Sequence, residues 1–295
     1  MPAYEFVTVD VFTEQRFGGN PLAVFWDAQG MSDGDMQLLA REFNLSETSF
    51  VLPPENPAHT ARVRIFTPDY EMPFAGHPNV GTGYVLAQME RDKAGVLLFE
   101  ELAGLVEVTV ERRADGGIAA TTIVAPQPLK LGATLPPNLI AACIGLDEAD
   151  IVLTAHPPVL ASVGTFFVLV AVTAEALSRA TPEPAAFRQA IDLLPVLEGK
   201  LAIYLYTPGT GNIRTRMFAP LGGSWEDPAT GSAATPLAAL LLSHTEDASS
   251  RHDILQGVEM GRPSLLRTSA YRTPAGIRAS VGGTCVPVLR GSAQL

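Results

Sequence analysis

Four side chains in this sequence combine acid/base chemistry with a placement that would expose them: Glu47, His77, Asp227 and Ser232. His77 follows the small-residue turn Ala75-Gly76, and Asp227 and Ser232 flank a second such turn, Ala229-Thr230-Gly231. A carboxylate, an imidazole and a hydroxyl can move and hold a proton, and proton transfer needs only positioned acids and bases. Taken singly, each has a plainer explanation. His77 before Pro78 could be a satisfied loop histidine, Asp227 before Pro228 a turn initiator, and Ser232 a helix N-cap. Glu47 stands at the entrance of an apolar alternation, where a carboxylate faces either solvent or a pocket.

What favours chemistry is that the two turns belong to two copies of one plan. Arg62-x-Arg64-Ile65-Phe66-x-Pro68 is matched by Arg214-x-Arg216-Met217-Phe218-x-Pro220. Each copy continues through a loop and a glycine turn into an apolar run, so His77 and the Asp227/Ser232 pair occupy equivalent places. Each turn opens a helix, whose free N–H groups and dipole form an anion site. Gly76 and Gly231 are therefore expected to face each other across one cleft and, with Thr230, to hold a substrate carboxylate. Asn20, beside Gly18-Gly19, and Ser46, beside Glu47, are further candidate substrate contacts; for Asn20 simple turn chemistry is the alternative.

The elements that must position these groups follow from periodicity. Residues 4–12 alternate as an opening strand, and residues 22–25 form a second after the Phe17–Pro21 turn. Ser32 is placed to cap a helix to about Phe43, closed by Asn44. Strands follow at 45–52 and 61–67, then a helix at Asn79–Met89 with Pro78 at its first position. Gly81 and Gly83 weaken that helix by about 1 kcal/mol each, which suggests a helix threaded through a tight sheet. Short strands at 96–99, 105–112 and 118–124 complete a first domain. The second half is expected to hold helices at 138–144 and 184–194, strands near 151–154, 165–172, 201–207 and 213–218, a loop from Ala219 to Pro228, and an apolar helix at 233–243. In that last helix Pro236 is tolerable only within the first turn.

At 295 residues and 47% hydrophobic, the chain is long enough for two medium cores. Its net charge of −11, without a basic run, argues against nucleic acid or an anionic membrane as partner. The N-terminal stretch lacks a basic and apolar leader pattern, and no apolar run approaches about 18 residues, which predicts a soluble cytoplasmic protein. Cys143 and Cys285 are far apart in apolar surroundings, and the five histidines show no metal-ligand spacing. No Gly-x-Ser-x-Gly elbow, P-loop or dinucleotide fingerprint is present, so serine hydrolase, P-loop and Rossmann chemistry fall away. A hydrolase built on Ser232 would lack a base placed by any motif.

The motifs Phe17-Gly18-Gly19-Asn20-Pro21, Asn44-Leu45-Ser46-Glu47-Thr48, Phe66-Thr67-Pro68, Pro73 to Pro78, Glu226 to Ala234, Gln256-Gly257 and Met260 to Ser264 resemble the phenazine biosynthesis isomerases (PhzF-like proteins) of the diaminopimelate epimerase superfamily. The resemblance covers nearly the whole chain. It implies an α+β fold of two similar domains, each a curled, mostly antiparallel β-sheet wrapped round a central helix, with the active site in the cleft between them. The expected boundaries are 1–124, joined by the C-terminal strand 280–295, and 125–279. By resemblance Glu47 is the acid/base, supported by His77, Asp227 and Ser232. No cofactor or metal is implied, the substrate class is a small carboxylate-bearing metabolite, and the assembly is a homodimer. The epimerase branch carries a cysteine at each glycine turn, where this chain has Ala75 and Thr230, so a two-thiol racemase is excluded. The chain departs from the family pattern at Asn79, where threonine is common, and at Thr235, where glycine is common; both bear on substrate identity rather than mechanism. A non-catalytic binding protein that kept the cleft is the competing reading, and the presence of Glu47 and Asp227 weighs against it.

Overall fold

The computed structural model describes residues 2–209 and 211–295. In chain order the first elements are β1 (Ala3–Val11), β2 (Asn20–Phe25), α1 (Asp33–Phe43), β3 (Glu47–Leu52), β4 (Ala61–Phe66), β5 (Glu71–Met72), α2 (Gly76–Gln88), β6 (Val96–Glu101), β7 (Gly104–Arg112) and β8 (Ile118–Val124). They are followed by β9 (Lys130–Thr134), α3 (Pro137–Cys143), β10 (Val159–Ser162), β11 (Phe166–Ala171), α4 (Ala174–Arg179), α5 (Pro184–Leu193) and β12 (Ile203–Tyr206). The chain closes with β13 (Ile213–Ala219), β14 (Ser224–Asp227), α6 (Gly231–Ser243), β15 (Ser249–Gln256), β16 (Ser264–Thr273), β17 (Gly276–Gly283) and β18 (Cys285–Gln294). The class is α+β. Two compact units are present, one made of Met1–Val124 with Val281–Leu295 and the other of Ala125–Ser280.

The first unit is a mixed sheet curled round α2. β1 lies antiparallel between β18 and β2, β2 runs parallel to β3, and β3 is antiparallel to β4. β4 pairs antiparallel with the short β5 and parallel with β6, which leads through β7 to β8. The segment from Val281 approaches β8 so closely that a Cβ on Gly282 would fall 2.0 Å from the Thr122 hydroxyl. Its continuation as β18 pairs with β1, so the two ends of the sheet are drawn together. α2 is buried from Gly76 to Ala87, which is the signature of a helix surrounded by protein rather than laid on a surface. Gly81 and Gly83 make this possible. A Cβ on Gly81 would lie 2.6 Å from Leu22 and 2.8 Å from Val11, and one on Gly83 would lie 2.7 Å from Val108. Outside the sheet, α1 covers an aromatic cluster in which Phe25 stacks on Phe50 at 5.0 Å and Phe66 meets Phe50 edge-on.

The second unit repeats the scheme. β10–β11 is antiparallel, β11–β12 parallel, β12–β13 antiparallel, β13–β14 antiparallel, β13–β15 parallel and β15–β16 antiparallel. This is the order of β1–β2, β2–β3, β3–β4, β4–β5, β4–β6 and β6–β7. The central helix is now α6, of 13 residues like α2, and α3, α4 and α5 supply the outer layer over β11 and β12. The repeated arginines do the same work in both copies. Arg64 makes a two-pronged pair with Glu71 (2.7 and 2.6 Å), and Arg216 makes one with Glu226 (2.8 and 2.9 Å). Each guanidinium also lies over the phenylalanine two residues on, Phe66 at 5.1 Å and Phe218 at 4.8 Å.

Several boundaries differ from the sequence-based expectation. α2 begins at Gly76, so Pro78 is the third helical residue; it still falls in the first turn, where an N–H would have no intrahelical partner. α6 begins at Gly231, which places Pro236 beyond the first turn. Burial of α6 by the surrounding sheet outweighs the local cost. The segment expected as a loop before the second turn contains β14, a polar strand held by pairing with β13 rather than by propensity. The strand expected near Ile151–Thr154 reduces to one bridge, Ile151 with Val172. Ser32 caps α1 by accepting from the Asp35 N–H, and Asn44 closes it in the left-handed conformation.

Gly81→Ala tests the enclosure. Alanine raises helix propensity by about 1 kcal/mol, whereas overpacking a filled core costs about 1–3 kcal/mol. Since Leu22 is fully buried and Val11 too, the expected result is a net loss on the order of 1–2 kcal/mol in urea unfolding. A stabilised variant would contradict the enclosed position of α2.

Candidate active site

The first cluster of candidate residues is assembled by parallel pairing. Leu22 of β2 lies opposite Glu47 of β3, so the starts of both strands, Asn20 and Glu47, come side by side where α2 begins. His77, the second residue of α2, points into this corner. Its Nε2 is 3.4 Å from Glu47 Oε2 and its Nδ1 is 3.4 Å from Asn20 Nδ2. An amide nitrogen can only donate, so Nδ1 is the acceptor and the ring proton sits on Nε2, the ring nitrogen nearer the carboxylate, in a long contact rather than a formed hydrogen bond. Burial holds the imidazole neutral by pushing its pKa down to about 3. The His77 side chain is 6% accessible and that of Glu47 is 16%. The carboxylate is therefore largely enclosed but still reachable. Ser46, half-buried, precedes it, and Gly76 is the first residue of α2.

The second cluster belongs to the second unit. Asp227 ends β14, Thr230 precedes α6, and Gly231 and Ser232 are the first two residues of that helix. Ser232 is thus not the cap: the cap position is Thr230, whose side chain leaves the helix unserved and donates to Asp227 Oδ2 at 2.5 Å. Asp227 and Thr230 are buried, and Ser232 is half-buried. The helix-start N–H groups of Gly231 and Ser232, like those of Gly76 and His77, have no preceding turn to bond.

A residue to which sequence reasoning gave no role organises this turn. Gln256, fully buried at the end of β15, accepts on Oε1 from the Thr230 N–H (3.1 Å) and from the Tyr204 hydroxyl (3.1 Å). Its Nε2 donates to the Asp227 carbonyl (2.8 Å) and to Thr230 Oγ1 (3.0 Å). All the hydrogen-bonding capacity of the amide is spent on holding the turn. Tyr204 also pairs with Thr215 Oγ1 at 3.1 Å, and burial raises its phenol above the ordinary range. Behind Gln256 the chain must pass against Pro228; a Cβ on Gly257 would fall 2.6 Å from the Pro228 carbonyl oxygen, and the residue has φ +74°, so glycine is required. The pair Gln256-Gly257 was visible as a motif, but nothing in an apolar strand such as Ile203–Tyr206 marked Tyr204. Both cysteines lie away from the turns, and burial pushes each thiol up to about 12. Among the described residues no three His, Cys, Asp or Glu side chains converge as a metal site.

The family model for phenazine biosynthesis-like proteins matches residues 9–291. The chain belongs to the PhzF-like family. It is 41% identical to an uncharacterized isomerase of Mesorhizobium japonicum, over 99% of both chains. It is 37% identical to the trans-2,3-dihydro-3-hydroxyanthranilate isomerase of Pseudomonas aeruginosa, over 99% of this chain and 100% of that one. Among solved structures, a predicted epimerase of Pseudomonas aeruginosa superposes with a TM-score of 0.81 at 30% identity, covering 99% of both chains. A PhzF-family protein of Bacillus anthracis shares the fold, with a TM-score of 0.88 over the whole of both chains at 24% identity. This PhzF-like protein is an isomerase.

The protonation state of His77 has a measurable consequence. Its pKa in the folded protein, about 3, lies below the ordinary 6.5. As pH falls through 6.5 the unfolded chain takes up a proton that the folded one refuses, so stability declines progressively toward pH 3. Nitrogen-15 spectra of the ring are expected to show a neutral Nε2–H tautomer throughout that interval. A ring that protonates near pH 6.5 would refute the assignment.

Proposed function

We propose that this PhzF-like isomerase is a cofactor-independent proton-transfer enzyme in which Glu47 is the acid/base. The observation that carries the reading is the contact between Glu47 Oε2 and the neutral, N–H-bearing face of His77. A neutral imidazole orients a carboxylate without neutralising it, leaving Glu47 available as a base. The contact is long at 3.4 Å, with room to tighten when a substrate is bound.

In the proposed reaction the Glu47 carboxylate takes a proton from a substrate carbon. The C–H electron pair moves into the adjacent π-system, and the proton on Glu47 is returned to another position of the same molecule. No electron is gained or lost overall. The proposed substrate is a small carboxylate-bearing metabolite, a class to which the substrate named for the Pseudomonas aeruginosa relative belongs. Its carboxylate would be held by the helix-start N–H groups at Gly76 and Gly231. Helix N-termini of this kind provide a local anion site on a chain whose net charge of −11 would otherwise repel the ligand. Asn20, Ser46 and Thr230 would contact the substrate, while Asp227 and Ser232 would hold or shuttle a proton on its polar groups. A homodimer, which the family resemblance implies, acting in the cytoplasm, which the sequence pattern led us to expect, is part of the same reading.

Glu47→Gln keeps shape and hydrogen bonding but removes the proton carrier. With an acid that the wild-type protein turns over, binding should survive and deuterium uptake at carbon from heavy water should drop at least about a hundredfold. Equal rates in both proteins would remove Glu47 from the mechanism. Replacing Cys143 and Cys285 together by alanine should leave the same exchange rate within about twofold, since a thiol acting by proton transfer or attack must reach its thiolate form near working pH. Loss of exchange in a folded double variant would implicate a thiol after all.

A further inference from the structure

A carboxyl group outside the proposed machinery lies buried beside the His77 turn. Glu101, the last residue of β6, has both carboxylate oxygens shut off from solvent without a well-formed hydrogen bond. Its neighbour Glu100 is spoken for elsewhere, by His59 at 2.7 Å and by the N–H groups of Glu55 and Asn56. Glu101 turns to the other side, toward the amide of Asn79 in the first turn of α2. The hairpin that follows it is bolted to the same place, because the Ala103 N–H donates to the Pro73 carbonyl at 3.0 Å, just ahead of Ala75 and Gly76. Asn79 is fully buried; its Nδ2 donates to the Ala75 carbonyl at 3.0 Å, and its Oδ1 also lacks a partner. Two acceptors meet here, and the donor beside them, the Asn79 amide nitrogen, is shared with the Ala75 carbonyl. One proton on Glu101 would answer both, and burial favours that proton, pushing the carboxyl pKa up to about 8 against the pull of the Asn79 amide.

The internal repeat says what such a group is for. Arg62 and Arg214 are equivalent in the repeated motif; Arg62 lies opposite Glu100 in the β4–β6 pair and Arg214 lies opposite Leu255 in the β13–β15 pair. One residue on, Glu101 is therefore the counterpart of Gln256. Gln256 is the side chain that braces the turn into α6, gripping Thr230 and Asp227.

Resting on the isomerase reading above, we propose that Glu101, acting through Asn79, is the positioning residue that braces the turn into α2 and so sets the place of His77 against Glu47. It does for the first unit, as a neutral acid, what Gln256 does for the second as an amide. Asn79, one of the positions at which this chain departs from the family pattern, is then tied to Glu101 as its partner.

The test uses the whole protein and three variants, Glu101→Gln, Glu101→Ala and Asn79→Ala. Glutamine carries permanently the donor that the acid has only when protonated, so Glu101→Gln should keep the His77 ring resonances and the slow amide exchange of residues 76–80 at wild-type values. Glu101→Ala and Asn79→Ala should each displace the ring signals and speed that exchange. With a turned-over acid, both should lower kcat on the order of tenfold or more while KM changes less than twofold, the mark of misplaced catalytic geometry. The proposal is overturned if Glu101→Ala matches wild type in the ring signals, or if Glu101→Gln is as impaired as Glu101→Ala. Should Glu101→Ala fail to fold, Glu101→Gln decides: wild-type ring signals support the brace and displaced ones refute it. An inactive wild-type protein would refute the isomerase reading and leave the ring signals to judge this one.

Discussion

A helix enclosed on every side by a sheet is the constraint from which the rest follows. α2 and α6 each run 13 residues through such an enclosure, and neither could do so as an ordinary amphipathic helix with a polar stripe. In the first unit the sheet closes on α2 where side chains are absent, at Gly81 against β1 and β2 and at Gly83 against β7. The sheet also reaches the helix backbone, where the Thr121 hydroxyl donates to the Val80 carbonyl at 2.8 Å. A helix fixed so rigidly has a fixed N-terminus. The candidate groups lie at these ends, where the first-turn N–H groups have no preceding turn to bond and where strand starts bring Asn20 and Glu47 to His77.

The duplication repeats the framework but not the proposed acid/base. The Arg64–Glu71 and Arg216–Glu226 pairs lock the return strands β5 and β14 in the same way. Such pairs, largely buried and two-pronged, fix geometry more than they add stability. The pairing registers also show where the copies diverge. Thr48 faces Phe66 and Ile203 faces Phe218, so the position of Glu47 is taken in the second copy by Ala202. A racemizing pair would need a proton carrier on each side. The isomerase reading needs one, and the asymmetry of the repeat provides one.

Burial also sets the charge state of the groups near the turns. His77 and Tyr204 are both held neutral by removal from water, and the same effect raises Glu101.

Through the family resemblance the sequence implied the α+β class; by itself it determined the repeat, the threaded character of α2 and the motifs that carry the family. These are properties of local pattern: apolar spacing, glycines within a helix, and residue types in fixed order. It also marked the turns at Gly76 and Gly231, because glycine followed by an apolar run is a local signal. The short polar strand β14, the reduction of the 151–154 strand to a single bridge, and the start of α2 at Gly76 were settled by pairing and enclosure, which propensity does not contain. Only the tertiary structure brought Asn20, Glu47 and His77 into one corner, since their contact depends on the parallel pairing of β2 with β3 across α1. Only the tertiary structure revealed Gln256 and Glu101 as counterparts, because one is an amide, the other an acid, and their equivalence lies in the register of two parallel strand pairs rather than in any likeness of residue.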